Sequence, residues 1–231
     1  MKRRLPFDVL YEDRDVIVID KPAGMLTTHT RLAGRAARDA QFTAENVLND
    51  YVRKGQAKSR NRVWLVHRLD RETSGVMMFA KSEAVAGYFR ADWNRLTEKT
   101  YVARVLGELD AEAGVYESLL VEDADGYRVR SAAAGSAGTG KPARTEWRLL
   151  RRLRSRVTTA SDAVSLVEVT LKSGRKNQIR VHFSEAGHPV IGDVKYGGPA
   201  ADRLYLHSLR LRFRHPHAGD WKEYESPCDF L

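Results

Sequence analysis

An α+β fold with a largely antiparallel or mixed central sheet follows from three features of the sequence. Apolar or alternating runs of strand length recur along the 231 residues, several of them close enough to pair as hairpins. Stretches with apolar residues at helical spacing lie among them. Strands and helices alternate, but not in regular βαβ units. A hydrophobic content of 42% is enough to bury a core, and the length suits one large domain or two closely packed lobes.

Taken in order, residues 7–20 carry two short apolar runs around an acidic turn. The second run (Val16, Ile17, Val18, Ile19) is β-branched, which predicts a hairpin entering the core. Lys21, Pro22, Ala23 and Gly24 break it. Residues 28–42 are polar and without period. Ala44, Val47, Leu48, Tyr51 and Val52 recur at helical spacing between a capping Thr43 and a terminating Gly55, which predicts an amphipathic helix over 43–55. A basic loop over 56–62 leads into an apolar run at 63–66, and a second run follows at 76–80. Ser82 can cap a second helix that carries Val85, Phe89 and Trp93. Residues 100–107 alternate as a strand, with Tyr101, Ala103 and Val105 on one face and Val102, Arg104 and Leu106 on the other.

Residues 131–140 are rich in Ser, Ala and Gly and read as a flexible surface loop. Strands are expected at 144–150 and 164–172, the second with Val167, Val169 and Leu171 on one face. Gly174 then turns the chain into a helix through Ile179, His182, Phe183 and Ala186, closed by Gly187. No internal repeat and no heptad run is present.

Composition narrows the function. Lys plus Arg is 39 against 30 for Asp plus Glu, a formal charge of +9. Such a surface suits a polyanionic partner, because phosphate contacts release counterions. Arginine, the commoner cation here, favours planar, bidentate phosphate recognition. No run approaches the roughly 18 apolar residues of a membrane span, and Asp8, Glu12 and Asp13 arrive too soon for a signal peptide. The single cysteine, Cys228, excludes an internal disulfide and a cysteine-based zinc site, so a reducing cytoplasm fits best. His215-Pro216-His217 hints at a metal, but no acidic or sulfur ligand accompanies it at suitable spacing, so no metal site is expected there.

Between the apolar runs at 63–66 and 76–80 lies His67-Arg68-Leu69-Asp70-Arg71-Glu72-Thr73-Ser74-Gly75. A carboxylate flanked by arginines, followed by a Thr-Ser-Gly turn signal, can be held ionised at a cleft edge. Taken singly, Asp70 is as well read as a cap or an ion-pair partner, Tyr101 as a core tyrosine, Arg180 as a solvated helix residue and Gly174 as a turn glycine. Their joint occurrence, in this order, changes the reading. The string resembles the active-site motif of the RluA-type RNA pseudouridine synthases, His-Arg-Leu-Asp, two variable residues, then Thr-Ser-Gly. Three further segments resemble that family: Lys-x-Tyr-x-Ala-x-Val-x-Gly at 99–107, Gly-Arg-x-x-Gln-Ile-Arg-Val-His at 174–182, and Gly-His-Pro-x-x-Gly-Asp at 187–193. The similarity runs from about Tyr11 to the C-terminus. It implies the pseudouridine synthase fold, with flanking helices and a catalytic cleft between two lobes, as a catalytic domain over 7–231 without the S4 RNA-binding domain of many relatives. Residues 30–62 match no motif and are expected to be a substrate-specific insertion.

The resemblance implies isomerisation of uridine to pseudouridine in structured RNA, rRNA or tRNA. The C1′–N1 bond breaks, uracil rotates, a C1′–C5 bond forms and the C5 proton leaves. Nothing is oxidised and no phosphoryl group moves, so no cofactor and no metal are expected. Asp70 is the implied essential carboxylate, as nucleophile or base. Arg180 would hold it ionised, since a neighbouring guanidinium typically lowers an Asp pKa by about 1–3 units. Tyr101 would stack on uracil and assist removal of the C5 proton, with Ile179 as the opposite wall. Arg68 would either fill the space of the flipped base or pair with a carboxylate. His67 is expected to cap or orient the Asp70 loop. Arg71, Lys99, Arg175 and Lys176 are candidate phosphate contacts. A monomer is the default. Two other classes compete: a non-catalytic RNA-binding factor of the same fold, and a glycosidase-like hydrolase using Asp70 with Glu72.

Overall fold

The computed structural model describes residues 5–29, 41–56, 58–124, 126–132, 140–154 and 163–231. Residues 133–139 of the expected 131–140 loop, and residues 30–40 and 57 of the expected 30–62 insertion, lie outside the described residues. In chain order the strands are β1 (Asp8–Glu12), β2 (Val16–Lys21), β3 (Trp64–Leu65), β4 (Ser74–Ala80), β5 (Thr97–Leu106), β6 (Ala113–Glu122), β7 (Val129–Ser131), β8 (Lys141–Arg154), β9 (Ala163–Leu171), β10 (Leu206–Arg214) and β11 (Trp221–Glu225). The helices are α1 (Ala44–Arg53), α2 (Glu83–Ala91), α3 (Trp93–Leu96) and α4 (Gln178–Glu185). The α+β expectation holds. The chain forms two compact units, Met1–Thr97 with Ser208–Pro227, and Glu98–His207 with Cys228–Leu231.

In the first unit the strands neighbour one another in the order β1-β2-β4-β10, with β3 also on β4 and β11 on β10. The ladders β1–β2, β2–β4, β3–β4 and β10–β11 are antiparallel. The predicted hairpin is β1–β2. Val16 to Ile19 on β2 and Val76 to Ala80 on β4 have no exposure, as continuous apolar runs in central strands require. Val16, Val18, Val76 and Met78 pack with Phe89 of α2 and with Leu211 and Phe213 of β10. Helix α1 starts where the sequence places it, with the Thr43 hydroxyl accepting from the Asn46 N–H at 3.1 Å. It ends at Lys54 in the left-handed region, ahead of Gly55. Ser82 caps α2 as expected. The helix does not run on through Trp93, however. It stops at Asp92, whose carbonyl starts the short α3 by accepting from Arg95 and Leu96.

The second unit orders its strands β5-β9-β8-β6-β7, all antiparallel. Helix α4 covers part of this sheet. Val181 packs with Leu120, Val129 and Ala143, and Phe183 meets Tyr116 edge-on at 5.2 Å. Strands β6, β7, β10 and β11 lie outside those predicted from the sequence.

Thr73-Ser74-Gly75, expected as a turn, instead leads into β4, where Gly75 pairs with Lys21 of β2. Gly75 has φ +109°, and a Cβ there would lie 2.2 Å from the Ser208 carbonyl oxygen of β10. The glycine is required by close approach of a neighbouring strand.

The two histidines after β10 correct a second expectation. Their acidic partners exist, but 202 residues away along the chain. His215 Nε2 meets Asp13 Oδ2 at 2.7 Å, and His217 Nδ1 meets Asp15 Oδ2 at 2.7 Å. Asp13, Asp15 and His215 group closely enough to suggest a cation site, yet the hydrogen bonding argues otherwise. Asp13 Oδ1 accepts from the N–H groups of Asp15 and Val16, and Oδ2 accepts from the Tyr11 hydroxyl as well as from His215. His215 Nδ1 accepts from the Ala218 N–H at 3.1 Å, which leaves the proton on Nε2, where a metal would need a lone pair. The cluster is a clasp between the β1–β2 turn and the β10–β11 turn.

Burial pushes the Asp13 carboxyl up, but the donors from Val16, Asp15, His215 and Tyr11 outweigh it and hold the pKa below the usual value. Its contribution is therefore present above about pH 4 and fades as pH falls through the lower folded value. Asp13→Asn should cost about 1–2 kcal/mol in urea unfolding at pH 7, and the gap to wild type should narrow below pH 4; an equal gap at both pH values would contradict the clasp. Gly75→Ala should cost on the order of 3 kcal/mol through strain and overpacking, read from the same unfolding curves.

Candidate active site

The Asp70 loop joins β3 to β4 and has no regular structure of its own, so its shape rests on side chains from elsewhere in the first unit. The Thr27 hydroxyl donates to the Leu69 carbonyl at 2.8 Å, and the Leu69 N–H returns to it at 3.3 Å. Leu69 itself is buried. The Thr73 N–H donates to the Asp70 carbonyl at 3.2 Å, closing a turn on the far side. His67 Nε2 accepts from the Met78 N–H at 2.9 Å, and its ring stacks on Trp93 at 4.7 Å. An Nε2 lone pair committed to a backbone donor suits the orienting role, and the break before Trp93 is what brings the indole there. Asp70 is half-buried between exposed Arg68 and Arg71.

Beneath this loop lies a residue the sequence reading passed over as a strand-breaker. Lys21 has no exposure. Its ammonium donates to the carbonyls of Pro22 at 2.9 Å, Met25 at 2.9 Å and Arg71 at 3.1 Å. Three donors meet three acceptors, the condition for burying an ammonium. Burial lowers its pKa to about 8, while the negative charges of Glu72, Asp70 and Asp20 pull it upward, so the cation persists at neutral pH. The Arg71 carbonyl also accepts from the Gly24 N–H, and Arg71 Nε returns to the Gly24 carbonyl at 3.0 Å. The Lys-Pro-Ala-Gly break is thus the floor of the Asp70 loop.

The second unit carries Tyr101, Ile179 and Arg180. Tyr101 lies on β5 opposite Val169 and is 7% exposed; Ile179 is 4% exposed. The entry to α4 is fixed by Gln178, whose side-chain oxygen accepts from Ser173 and the Arg175 N–H while its amide donates to the Arg144 carbonyl and Thr145. Asn177, at φ +54°, turns the chain into the helix. Arg180 then points at Asp193, and Nε and Nη2 donate to the two carboxylate oxygens at 2.6 and 2.7 Å. Nη1 donates to Asn177 at 3.1 Å, and the guanidinium lies 5.0 Å from the Tyr196 ring centre. This bidentate pair, 11% and 0% exposed at the side chains, joins two motif segments that the sequence showed only as neighbours. Asp193, which its spacing did not single out, is the carboxylate that holds Arg180. His182 is a core residue: it meets Thr145 and Ser118 at 2.8 and 3.0 Å, and burial lowers its pKa.

The candidate phosphate contacts divide. Arg71 is exposed beside Glu72. Arg175 binds the Pro142 carbonyl, and Lys176 pairs with Glu122 at 3.0 Å. Lys99 departs from an exposed contact. It is 4% exposed, and its pKa is lowered to about 8 by burial and by the charge of Arg175.

A family model, RNA pseudouridylate synthase, matches residues 15–185. The chain belongs to that family. Similar proteins include the dual-specificity RNA pseudouridine synthases RluA of Vibrio parahaemolyticus, 31% identical over 96% of this chain and 84% of that one, and of Yersinia pestis, 34% identical over 96% and 99%. Human RNA pseudouridylate synthase domain containing 1 shares the fold, with a TM-score of 0.73 at 24% identity over 98% of this chain and 85% of that one.

Removing one member of a buried ion pair strands the other charge. Asp193→Ala should therefore cost about 3–5 kcal/mol. Urea unfolding monitored by tryptophan fluorescence checks this, and a loss under 1 kcal/mol would show that the pair does not anchor Arg180.

Proposed function

We propose that this protein isomerises uridine to pseudouridine within structured RNA, in large-subunit rRNA, tRNA or both, as a monomer in the cytoplasm. The observation that carries the reading is Asp70: a half-buried carboxylate on a loop whose backbone is pinned by Lys21, Thr27 and His67. A catalytic carboxylate must be presented without freedom to wander, and this loop has that character. Membership of the family and relatives of dual specificity support the substrate class. The net charge of +9 suits a polyanion, and no helix among the described residues is long and apolar enough to cross a membrane.

In this reading the target uridine leaves its stack to reach the enzyme. Asp70 attacks or abstracts a proton as the C1′–N1 bond breaks. Arg180, held in one orientation by Asp193, supplies a compensating positive charge for the carboxylate. Tyr101 stacks on the uracil and helps remove the C5 proton once the C1′–C5 bond has formed, and Ile179 closes the other side of the base. Arg68, exposed, takes the place of the flipped base, and Arg71 and Arg175 face phosphates. Uracil stays attached throughout, which separates this reaction from hydrolysis by an Asp70–Glu72 pair. Electrons and atoms balance within the nucleoside, so the bond changes call for no redox cofactor or metal.

Pseudouridine mapping of total RNA from a deletion strain tests this, with wild-type and Asp70→Asn complements. One or a few sites should vanish on deletion and return only with wild type. Return with Asp70→Asn would remove Asp70 from the chemistry, and no change at any site would favour an RNA-binding factor.

A further inference from the structure

Beyond the motif residues, the second unit carries a row of alternating cations and aromatic rings that leads outward from Arg180. The Arg180 guanidinium lies 5.0 Å from the Tyr196 ring centre. The Lys195 ammonium lies 5.4 Å from the same ring and 4.2 Å from that of Tyr127. Burial falls along the row: the Arg180 side chain is 11% exposed and Tyr127 is 63% exposed. Tyr196 is fixed in the middle, its hydroxyl accepting from Asn177 at 2.9 Å and donating no freedom to the ring, since the Val129 N–H also binds it at 3.0 Å.

Among the described residues between β6 and β7, the backbone on either side of Tyr127 is hydrogen-bonded. Lys195 donates to the Tyr127 carbonyl, and Lys176 donates to the Gly126 carbonyl at 2.5 Å while pairing with Glu122. The Asp123 N–H reaches the Arg128 carbonyl at 3.0 Å, and the Gly126 N–H reaches the Asp123 carbonyl at 2.7 Å. A ring this exposed gains little from burial. The Lys195 ammonium lies over the ring and also holds the Tyr127 carbonyl, and one further ammonium, that of Lys176, holds the Gly126 carbonyl beside it. Val194, 67% exposed on the adjoining 3₁₀ turn, extends the apolar surface.

We propose that Tyr127 is a stacking platform for an unpaired nucleotide next to the target uridine, with Lys195 facing that nucleotide's phosphate. The inference rests on the RNA reading above and specifies a subsite within it. Every base offers a π-face, so a fixed aromatic ring beside a cation captures a base without reading its identity. The cationic setting selects a nucleic acid over an apolar protein segment. Tyr127 acts in holding the substrate's neighbouring nucleotide and touches none of the reacting atoms.

The test uses the full-length protein and unmodified total RNA from a deletion strain, with pseudouridine formation measured at each mapped uridine. Tyr127→Ala should raise KM about tenfold and leave kcat within about twofold, while Tyr127→Phe, which keeps the ring, should rescue KM. Lys195→Met should raise KM and flatten the dependence of KM on salt. An unchanged KM in Tyr127→Ala, or a fall confined to kcat, would overturn the platform. Failure of Tyr127→Phe to rescue would do the same, because it would place the effect in the hydroxyl. Wild-type protein that makes no pseudouridine in any RNA would instead overturn the RNA reading, and this subsite with it.

Discussion

A single buried ammonium sets the shape of the candidate active site. Lys21 sits at the end of β2 with no exposure, and its three protons have three carbonyl acceptors. One of those carbonyls belongs to Arg71, so the residue after Asp70 is tied to the central sheet through a charge that has no better place to go. Leaving that charge unsatisfied would cost several kcal/mol, and its third acceptor is reached by bringing the Asp70 loop down onto the break after β2. The close packing of β4 against β10 at Gly75 adds a second limit from the other side, because no side chain larger than hydrogen fits there. Between the two, a loop without hydrogen-bonded secondary structure has little room to move.

The protein's many cations do several different jobs, and net charge alone does not separate them. On the second unit's sheet, Arg144 bridges Glu117 and Glu146, Arg148 meets Glu168, and Arg152 meets Glu112. These largely exposed pairs are each worth little, but they occupy arginines that composition would have counted towards RNA. Lys21 and Lys99 are buried and serve the interior. Arg180 is almost buried and anchored by Asp193. On the Asp70 loop, Arg68 and Arg71 stay exposed to solvent.

The sequence revealed most where local pattern and local structure coincide. The β1–β2 hairpin, α1 with its Thr43 cap, α2 with its Ser82 cap, β5 and α4 could all be read from periodicity and capping residues. Strand β10 carries an alternation of its own, Leu209, Leu211 and Phe213 against Arg210, Arg212 and Arg214. Strands β7 and β11 are short or mostly polar, and only pairing with neighbours distant in sequence makes them strands. The motif residues were legible through resemblance. Their supports were less so: Lys21 looked like the edge of a turn, Asp193 like one residue of a glycine-rich motif, and His215 and His217 like histidines lacking carboxylates. Each of these depends on a partner that only tertiary structure supplies.

The clasp between Asp13, Asp15 and the two late histidines has a consequence for how the protein is made. The first unit is discontinuous: β1 to β4 are made before the stretch Glu98–His207, whereas β11, most of β10 and the histidines that lock them are made after it. Nearly all of the second unit is an unbroken stretch in between. Domains usually mature in the order of synthesis. Here that order is inverted, so the segment bearing Asp70 waits, incompletely sheeted and with β4 lacking its β10 neighbour, until β10 and β11 emerge. The nascent chain's vulnerable interval falls on the unit that carries Asp70, where a chaperone would find its substrate.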